Sequence, residues 1–210
     1  MQLLGTETVC KSHYRIDQYR FRNRKFDGGW SETVTRDVFE RGHAVGVLLY
    51  DPERDKVVLI EQFRIGAYAA GRANPWHIEI VAGIFDEGES AEEVARREAR
   101  EEADCEIVRL EQIQTYVVSP GGSSESVVLF CGSVDSRKAG GIHGLDDEHE
   151  DIKVHVLPAD EAIRLADEDV IDNAVTLIAL HWFARHREAL RRRWLDSPGT
   201  RGSSPSSSSG

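Results

Sequence analysis

Polar and apolar residues alternate through His13–Arg22 (HYRIDQYRFR) and again through Thr33–Phe39, with Phe26-Asp27-Gly28-Gly29 as a turn signal between them. This period of two predicts a small antiparallel sheet within residues 7–42. Two apolar runs follow, Ala44–Tyr50 and Lys56–Phe63, joined by Asp51-Pro52-Glu53-Arg54-Asp55, the pattern of a β-hairpin. Further strands are predicted at His77–Val81, Ile107–Val118, Ser126–Val134 and Ile152–Leu157. Helical spacing replaces alternation twice, from about Ser90 to Ala103 and from about Asp172 to Trp194, where Val175, Ile178, Ala179, Trp182 and Phe183 share a face. Arg191-Arg192-Arg193 opposes the negative end of that last helix and reads as a solvated terminus. Strands and helices do not alternate regularly. The expected fold class is therefore α/β of the α+β kind, a mixed sandwich and not a doubly wound sheet.

Composition narrows the function. The chain has 210 residues, 40% hydrophobic and 30% charged, which suits a globular core in one domain or a domain with a small appendage. A net charge of −11 argues against nucleic-acid binding by bulk positive charge. The longest apolar runs resemble Val45–Tyr50, too short to span a bilayer, and the opening MQLLGTETVCKSHYR lacks the basic-then-apolar build of a secretory signal. Cys10, Cys105 and Cys131 are odd in number and form no CxxC pair, so free thiols in a reducing cytoplasm are expected. Residues 197–210 hold seven Ser, three Gly and two Pro and are expected to be a disordered tail.

The informative segment is Gly83 to Cys105, GIFDEGESAEEVARREAREEADC. Ser90 and Glu93 have the spacing of a capping box. Ala91, Val94 and Ala95 begin an apolar stripe, and its continuation at 3.6 residues per turn runs into Glu98, Glu101 and Glu102. Arg97 lies four residues from Glu93 and from Glu101, and Arg96 four from Glu92, which predicts ordinary helix ion pairs. Glu98 and Glu102 have no basic residue three or four positions away and face each other, so they repel. Partial burial raises that cost. Either the carboxylates solvate an acidic face, or something outside the helix compensates them; an all-oxygen acidic site suits Mg²⁺ or Mn²⁺. Gly83 can bring the backbone close to such an ion, with the Ala82 carbonyl available.

The spacing Gly83, Glu89, Arg97-Glu98, Ala99, Glu101-Glu102, Asp104, Cys105 resembles the signature of the Nudix hydrolases, with Asp104 where that family has Gly. The departure places a non-glycine at a helix end expected to be left-handed. Pro120, fifteen positions after Cys105, resembles the bacterial ADP-ribose pyrophosphatase branch. So do FERGHAV (39–45), EQFRIGAY (61–68), PWHIEIVAG (75–83), SPGGSSE (119–125) and GIHGLDDEHEDIKVHV (141–156). Together the likeness covers about residues 7–195.

The resemblance implies a Nudix fold, a mixed sheet sandwiched between helices. It implies an N-terminal β-domain over 1–42 for dimerisation and substrate contacts, and a catalytic domain over 43–196. It implies a homodimer whose N-terminal part reaches the partner's site, and hydrolysis of ADP-ribose to AMP and ribose 5-phosphate with Mg²⁺ or Mn²⁺, two or three ions per site. By motif position Ala82, Glu98, Glu102 and Glu150 bind metal, Arg97 orients the glutamates, and Glu101 is an outer ligand or supports the inner ones. Glu148 matches the catalytic base. From the residues alone Asp146–Asp151 reads as a solvated loop, and nothing local chooses between Glu148 and Glu150. For substrate the resemblance points to Arg36, Asp37, Arg41, Arg64, Glu125 and the Ser119-Pro120-Gly121 backbone, with His13 and Tyr14 where an aromatic residue stacks on adenine; Trp30 is a second stacking candidate. Arginine forks suit diphosphate oxygens. The box does not select the sugar or base, so GDP-mannose or another nucleoside diphosphate sugar is an alternative substrate. A nucleotide-binding module without catalysis is an alternative of another class.

Overall fold

The computed structural model describes residues 1–145 and 150–196. The Ser-rich stretch 197–210 and the acidic residues 146–149, Glu148 among them, lie outside the described residues. Three strands, β1 (Gln2–Lys11), β2 (Arg15–Arg22) and β3 (Val34–Glu40), form an antiparallel sheet in the order β1-β2-β3. The first of them is not legible as a separate strand, because nearly all its positions are exposed and it is held by pairing with β2.

The larger sheet is eight-stranded: β4 (Ala44–Asp51), β5 (Lys56–Phe63), β6 (Trp76–Glu79), β7 (Val81–Ile84), β8 (Arg109–Val117), β9 (Ser126–Ser133), β10 (Gly141–His143) and β11 (Ile152–Pro158). Its main path runs β10-β11-β5-β4-β9-β8, with β4 and β9 parallel and the other strand pairs antiparallel. Successive residues of a strand face opposite sides, and β5 shows the consequence. Val58 and Ile60 join the core beneath α2 (Ala91–Ala103), while Val57 and Leu59 join the core beneath α3 (Ala159–Asp167) and α4 (Ala174–Asp196). A short α1 (Ile65–Ala69) follows β5. The sheet between helices agrees with the expected sandwich. Among the described residues no helix is long and apolar enough to cross a membrane.

One predicted strand is in fact two. The stretch His77–Val81 pairs with β5 through β6 and with β4 through β7. The β4–β5 hairpin is paired near its turn, from Leu49↔Val58 to Asp51↔Lys56, and opens beyond it. The incoming chain follows one arm and leaves along the other. Ile80, at the change of partner, gives its N–H to Thr176 Oγ1 at 3.0 Å, so α4 satisfies the donor that neither ladder takes. Periodicity cannot show such a switch, because it reports an extended chain and not the strand with which that chain pairs.

The arginine run at the end of α4 is more engaged than a solvated terminus. Arg191 Nε donates to Pro52 O at 2.8 Å and Arg193 Nη2 to Glu111 at 2.6 Å. Helix α2 begins as expected, with Ser90 as N-cap in a complete capping box with Glu93, and ends with Asp104 left-handed at φ 48°, ψ 39°. A side chain there carries steric strain that glycine avoids. Asp104→Gly is expected to raise stability by about 0.5–1 kcal/mol, roughly 1–4 °C in Tm, measured by thermal unfolding.

Candidate active site

The site grows from the contact between α2 and β7. The side chain of Glu98 crosses Gly83 so closely that a Cβ at position 83 would lie 1.7 Å from Glu98 Oε1. Only glycine leaves that space. One turn further on, Glu102 is 3% exposed, and its Oε2 accepts the Ala82 N–H at 3.1 Å. A strand residue presents its N–H and C=O to the same edge, so the Ala82 carbonyl also turns toward the glutamates. Ala82 and Gly83 are opposite Gly46 and Val45, near the start of β4.

Burial sets the electrostatics. Glu98 is pushed up to about 7, first by loss of water and then by the charges of Glu101 and Glu150, against the pull of Arg97. Glu102 is held well above the carboxylate range by burial; its Ala82 hydrogen bond and Arg64 offset this, while Glu98 and Glu150 add to it. Glu150, just before β11, is thus within electrostatic reach of both. Its backbone N–H donates to Leu145 O at 3.2 Å, and Gly144, at φ 106°, admits a Glu150 Cβ that would lie 2.7 Å from a Cβ of its own. Buried Glu102 and half-buried Glu98 have one hydrogen-bonded backbone N–H, taken by Glu102, and among the described residues two cations act on them, Arg97 bonded to Glu98 and Arg64 within reach of Glu102. An oxygen-only donor set of this charge fits a hard divalent ion.

Arg97 corrects the expected pairing. It does not reach Glu93, whose carboxylate closes the capping box, and Arg96 donates to Ile107 O instead of pairing with Glu92. Arg97 forks onto Glu89, with Nε to Oε1 and Nη2 to Oε2 both at 3.0 Å, and its Nη1 reaches Glu98 Oε1 at 2.7 Å and Glu101 Oε2 at 3.0 Å. Glu98 therefore does have a basic partner. Neighbours at three and four positions miss it, because the long guanidinium fork spans to the adjacent residue once Glu98 is drawn toward Gly83.

Arg64, which precedes α1, gives Nε and Nη2 to Glu79 Oε2 at 2.9 and 2.7 Å. Glu79 is a buried residue of β6 that sequence reasoning missed. An acidic residue within a predicted strand was the available signal; its partner is set by the β5–β6 register.

A second cluster gathers at the same end of the sheet. Tyr14 packs edge-on against Phe39 at 5.2 Å and His13 at 4.5 Å, and Arg41 lies over the Tyr14 ring at 5.7 Å. Arg41 also pairs with the buried Glu125 at 3.4 Å. The Ser119-Pro120-Gly121 loop closes on itself, with Gly122 and Ser123 N–H donating to Ser119 O, and docks on β3 where Phe39 N–H donates to Gly122 O at 2.9 Å. The clusters adjoin through His43, which accepts Phe85 N–H on its carbonyl and pairs Nδ1 with Ser126 Oγ at 2.9 Å. Arg36 and Asp37 are exposed on β3, and their side chains bond Thr35 O and the Gln18 side chain within the N-terminal sheet. Trp30 is elsewhere, with Arg24 at 4.2 Å and Arg22 at 5.7 Å from its ring centre, so its face is already engaged. Gly83→Ala is expected to displace Glu98 and weaken Mg²⁺ binding about 10–100-fold, measured by calorimetric titration.

The NUDIX domain pattern matches residues 40–179. The ADP-ribose pyrophosphatase of Escherichia coli strain K12 is 47% identical over 194 residues, covering 92% of each chain. The protein of the same name from Haemophilus influenzae is 39% identical over 196 residues, covering 92% of this chain and 90% of its own. The GDP-mannose pyrophosphatase of Yersinia pestis is 32% identical over 181 residues, 86% of this chain and 89% of its own. A crystal structure of an ADP compounds hydrolase matches with a TM-score of 0.67 at 20% identity, over 92% of this chain and 95% of that one, which speaks for the fold. The matched pattern takes in β7, Gly83 and the glutamates of α2, and the relatives extend over nearly all of the chain: it belongs to the Nudix hydrolase family.

Proposed function

We propose that this Nudix hydrolase is a divalent-metal-dependent ADP-ribose diphosphatase, cleaving ADP-ribose to AMP and ribose 5-phosphate. The observation that carries the reading is the pair of mutually repelling glutamates at Gly83, one buried and one half-buried, set beside an aromatic and arginine cluster at one end of the sheet. The names of the relatives from Escherichia coli and Haemophilus influenzae support the substrate. GDP-mannose is the second reading, favoured by the Yersinia pestis relative.

Ala82 O, Glu98, Glu102 and Glu150 are the residues that would hold Mg²⁺ or Mn²⁺. Bound there, the ions supply positive charge to the phosphoanhydride oxygens and Lewis acidity toward water. Arg97 keeps Glu98 and Glu101 in place through bonds that also tie them to Glu89. Arg64, fixed by Glu79 through Nε and Nη2, presents its remaining nitrogen to a diphosphate oxygen. Glu148 accepts a proton from the attacking water. Tyr14 and His13 offer the adenine a ring surface, and Glu125 and the Ser119–Gly121 backbone bound the nucleotide. The exposed apolar residues Leu3, Leu4, Val9 and Ile16 of the N-terminal sheet favour a homodimer, in which Arg36 and Asp37 serve the partner's site. Free cysteines, two of the three buried, suit the cytoplasm.

A Mg²⁺-dependent release assay over ADP-ribose, GDP-mannose, NADH and diadenosine polyphosphates tests the reading, with the highest kcat/KM expected for ADP-ribose. A clear preference for GDP-mannose would replace it with the second. Glu102→Gln is expected to lower turnover more than about 100-fold while thermal unfolding shows an intact fold; wild-type turnover would remove Glu102 from the metal site. Glu148→Gln is expected to lower kcat by about 100-fold or more with little change in KM. If KM alone moved, Glu150 would be the base to test next.

A further inference from the structure

The fork of β5 and β6 contains two buried polar atoms without a partner among the described residues, Gln62 Nε2 and His77 Nε2. They are not independent. Gln62 and His77 are directly opposed in the β5–β6 register. Directly opposed residues share a face of the sheet, with Cβ atoms about 4.5–5.5 Å apart. His77 Nδ1 lies 3.0 Å from Asp172 Oδ1. An ionised carboxylate only accepts, so Nδ1 carries the hydrogen and Nε2 of the neutral ring is left as an acceptor. Gln62 Nε2 is a donor. The two unmatched atoms are therefore complementary, and a bond formed between them by a small side-chain shift or through one water would satisfy both.

The same face leads to the diphosphate site. Glu79 follows His77 on it, opposite Ile60, and Arg64 follows Gln62 and bonds Glu79. Arg64, Glu79, His77, Asp172 and Arg72 line one cavity of about 420 Å³. The residues at and just before the start of α4 hold β6 and Ile80 after it. Asp172 takes His77 and Arg72, Asn173 Nδ2 donates to Ile78 O at 2.9 Å, and Thr176 accepts Ile80 N–H.

We propose that His77 is a positioning residue for this reaction: braced by Asp172, it receives an amide hydrogen of Gln62 and so fixes the spacing of β5 and β6 that keeps Arg64 on Glu79. The inference rests on Arg64 contacting the diphosphate, as proposed above. Steady-state kinetics on ADP-ribose with Mg²⁺ and ¹⁵N spectra of the histidine rings test it in the full chain. His77→Leu and Gln62→Leu are each expected to raise KM about fivefold, one net hydrogen bond, with kcat within about twofold. The double variant is expected to be no worse than the worse single one. Thr176→Val, which removes the neighbouring bond between α4 and Ile80 outside the relay, is expected to leave KM unchanged. The wild-type His77 ring is expected to carry its hydrogen on Nδ1, with the Nε2 resonance shifting in Gln62→Leu.

Multiplying effects in the double variant, an equal KM rise in Thr176→Val, or a hydrogen on Nε2 in the wild type would each overturn the relay. The tautomer measurement stands even if a variant fails to fold. Arg64→Lys separates the two readings. If it raises KM and His77→Leu does not, the relay alone is wrong; if it leaves KM unchanged, Arg64 does not bind the diphosphate and the relay's role falls with it.

Discussion

Glu98 passes over the bare α-carbon of Gly83, and the site depends on that close approach. It draws a carboxylate out of water, raising its proton affinity to about 7, and brings it within range of Glu102, which is more deeply buried still. Neither charge is comfortable there without a cation. A folded chain tolerates such a conflict only where another gain offsets it, and affinity for a divalent ion is the gain this donor set offers. Arg97 keeps the conflict from breaking the helix. Its fork binds three carboxylates at once, and the one in the loop before α2, Glu89, takes two of its nitrogens.

The opened β4–β5 hairpin brings the rest together. Because β6 and β7 fill the opening, Ala82 and Gly83 on one arm meet α2, and Arg64, held by Glu79 on the other, comes within electrostatic reach of Glu102. The parallel pairing of β4 with β9 brings Ser126 to His43, and with it the loop that carries Glu125 and Ser119. That loop in turn touches Phe39 and, through Arg41, Tyr14 of the N-terminal sheet. The glutamates of α2 and the rings of Tyr14 and Phe39 thus meet at one sheet end although they come from distant parts of the chain.

Much of this was readable in advance, and the boundary falls along a physical line. Ser90 with Glu93, the stripe from Ala91 to Glu102 and the left-handed end at Asp104 are all local, decided within a turn or two of helix, and the structure has them as the residue order implies. Glu98's partner was misjudged, because helix-neighbour rules describe an isolated helix and Glu98 is bent toward β7. Glu79 and Gln62 went unnoticed for the opposite reason. An acidic residue within a predicted strand was a faint mark for Glu79, while Gln62 had none, and both matter through residues that strand pairing sets across from or beside them.

The order of residues determined the repelling glutamates, the glycine beside them, the helix that carries them and the alternation that builds two sheets, because each rests on contacts within a few positions. Tertiary structure alone decided that His77–Val81 would split between two partners, that Arg64 would be held by Glu79, and that Tyr14 would lie under Arg41. Those outcomes depend on register and on how two strands diverge, and a side chain's reach across that gap is a property of the folded sheet.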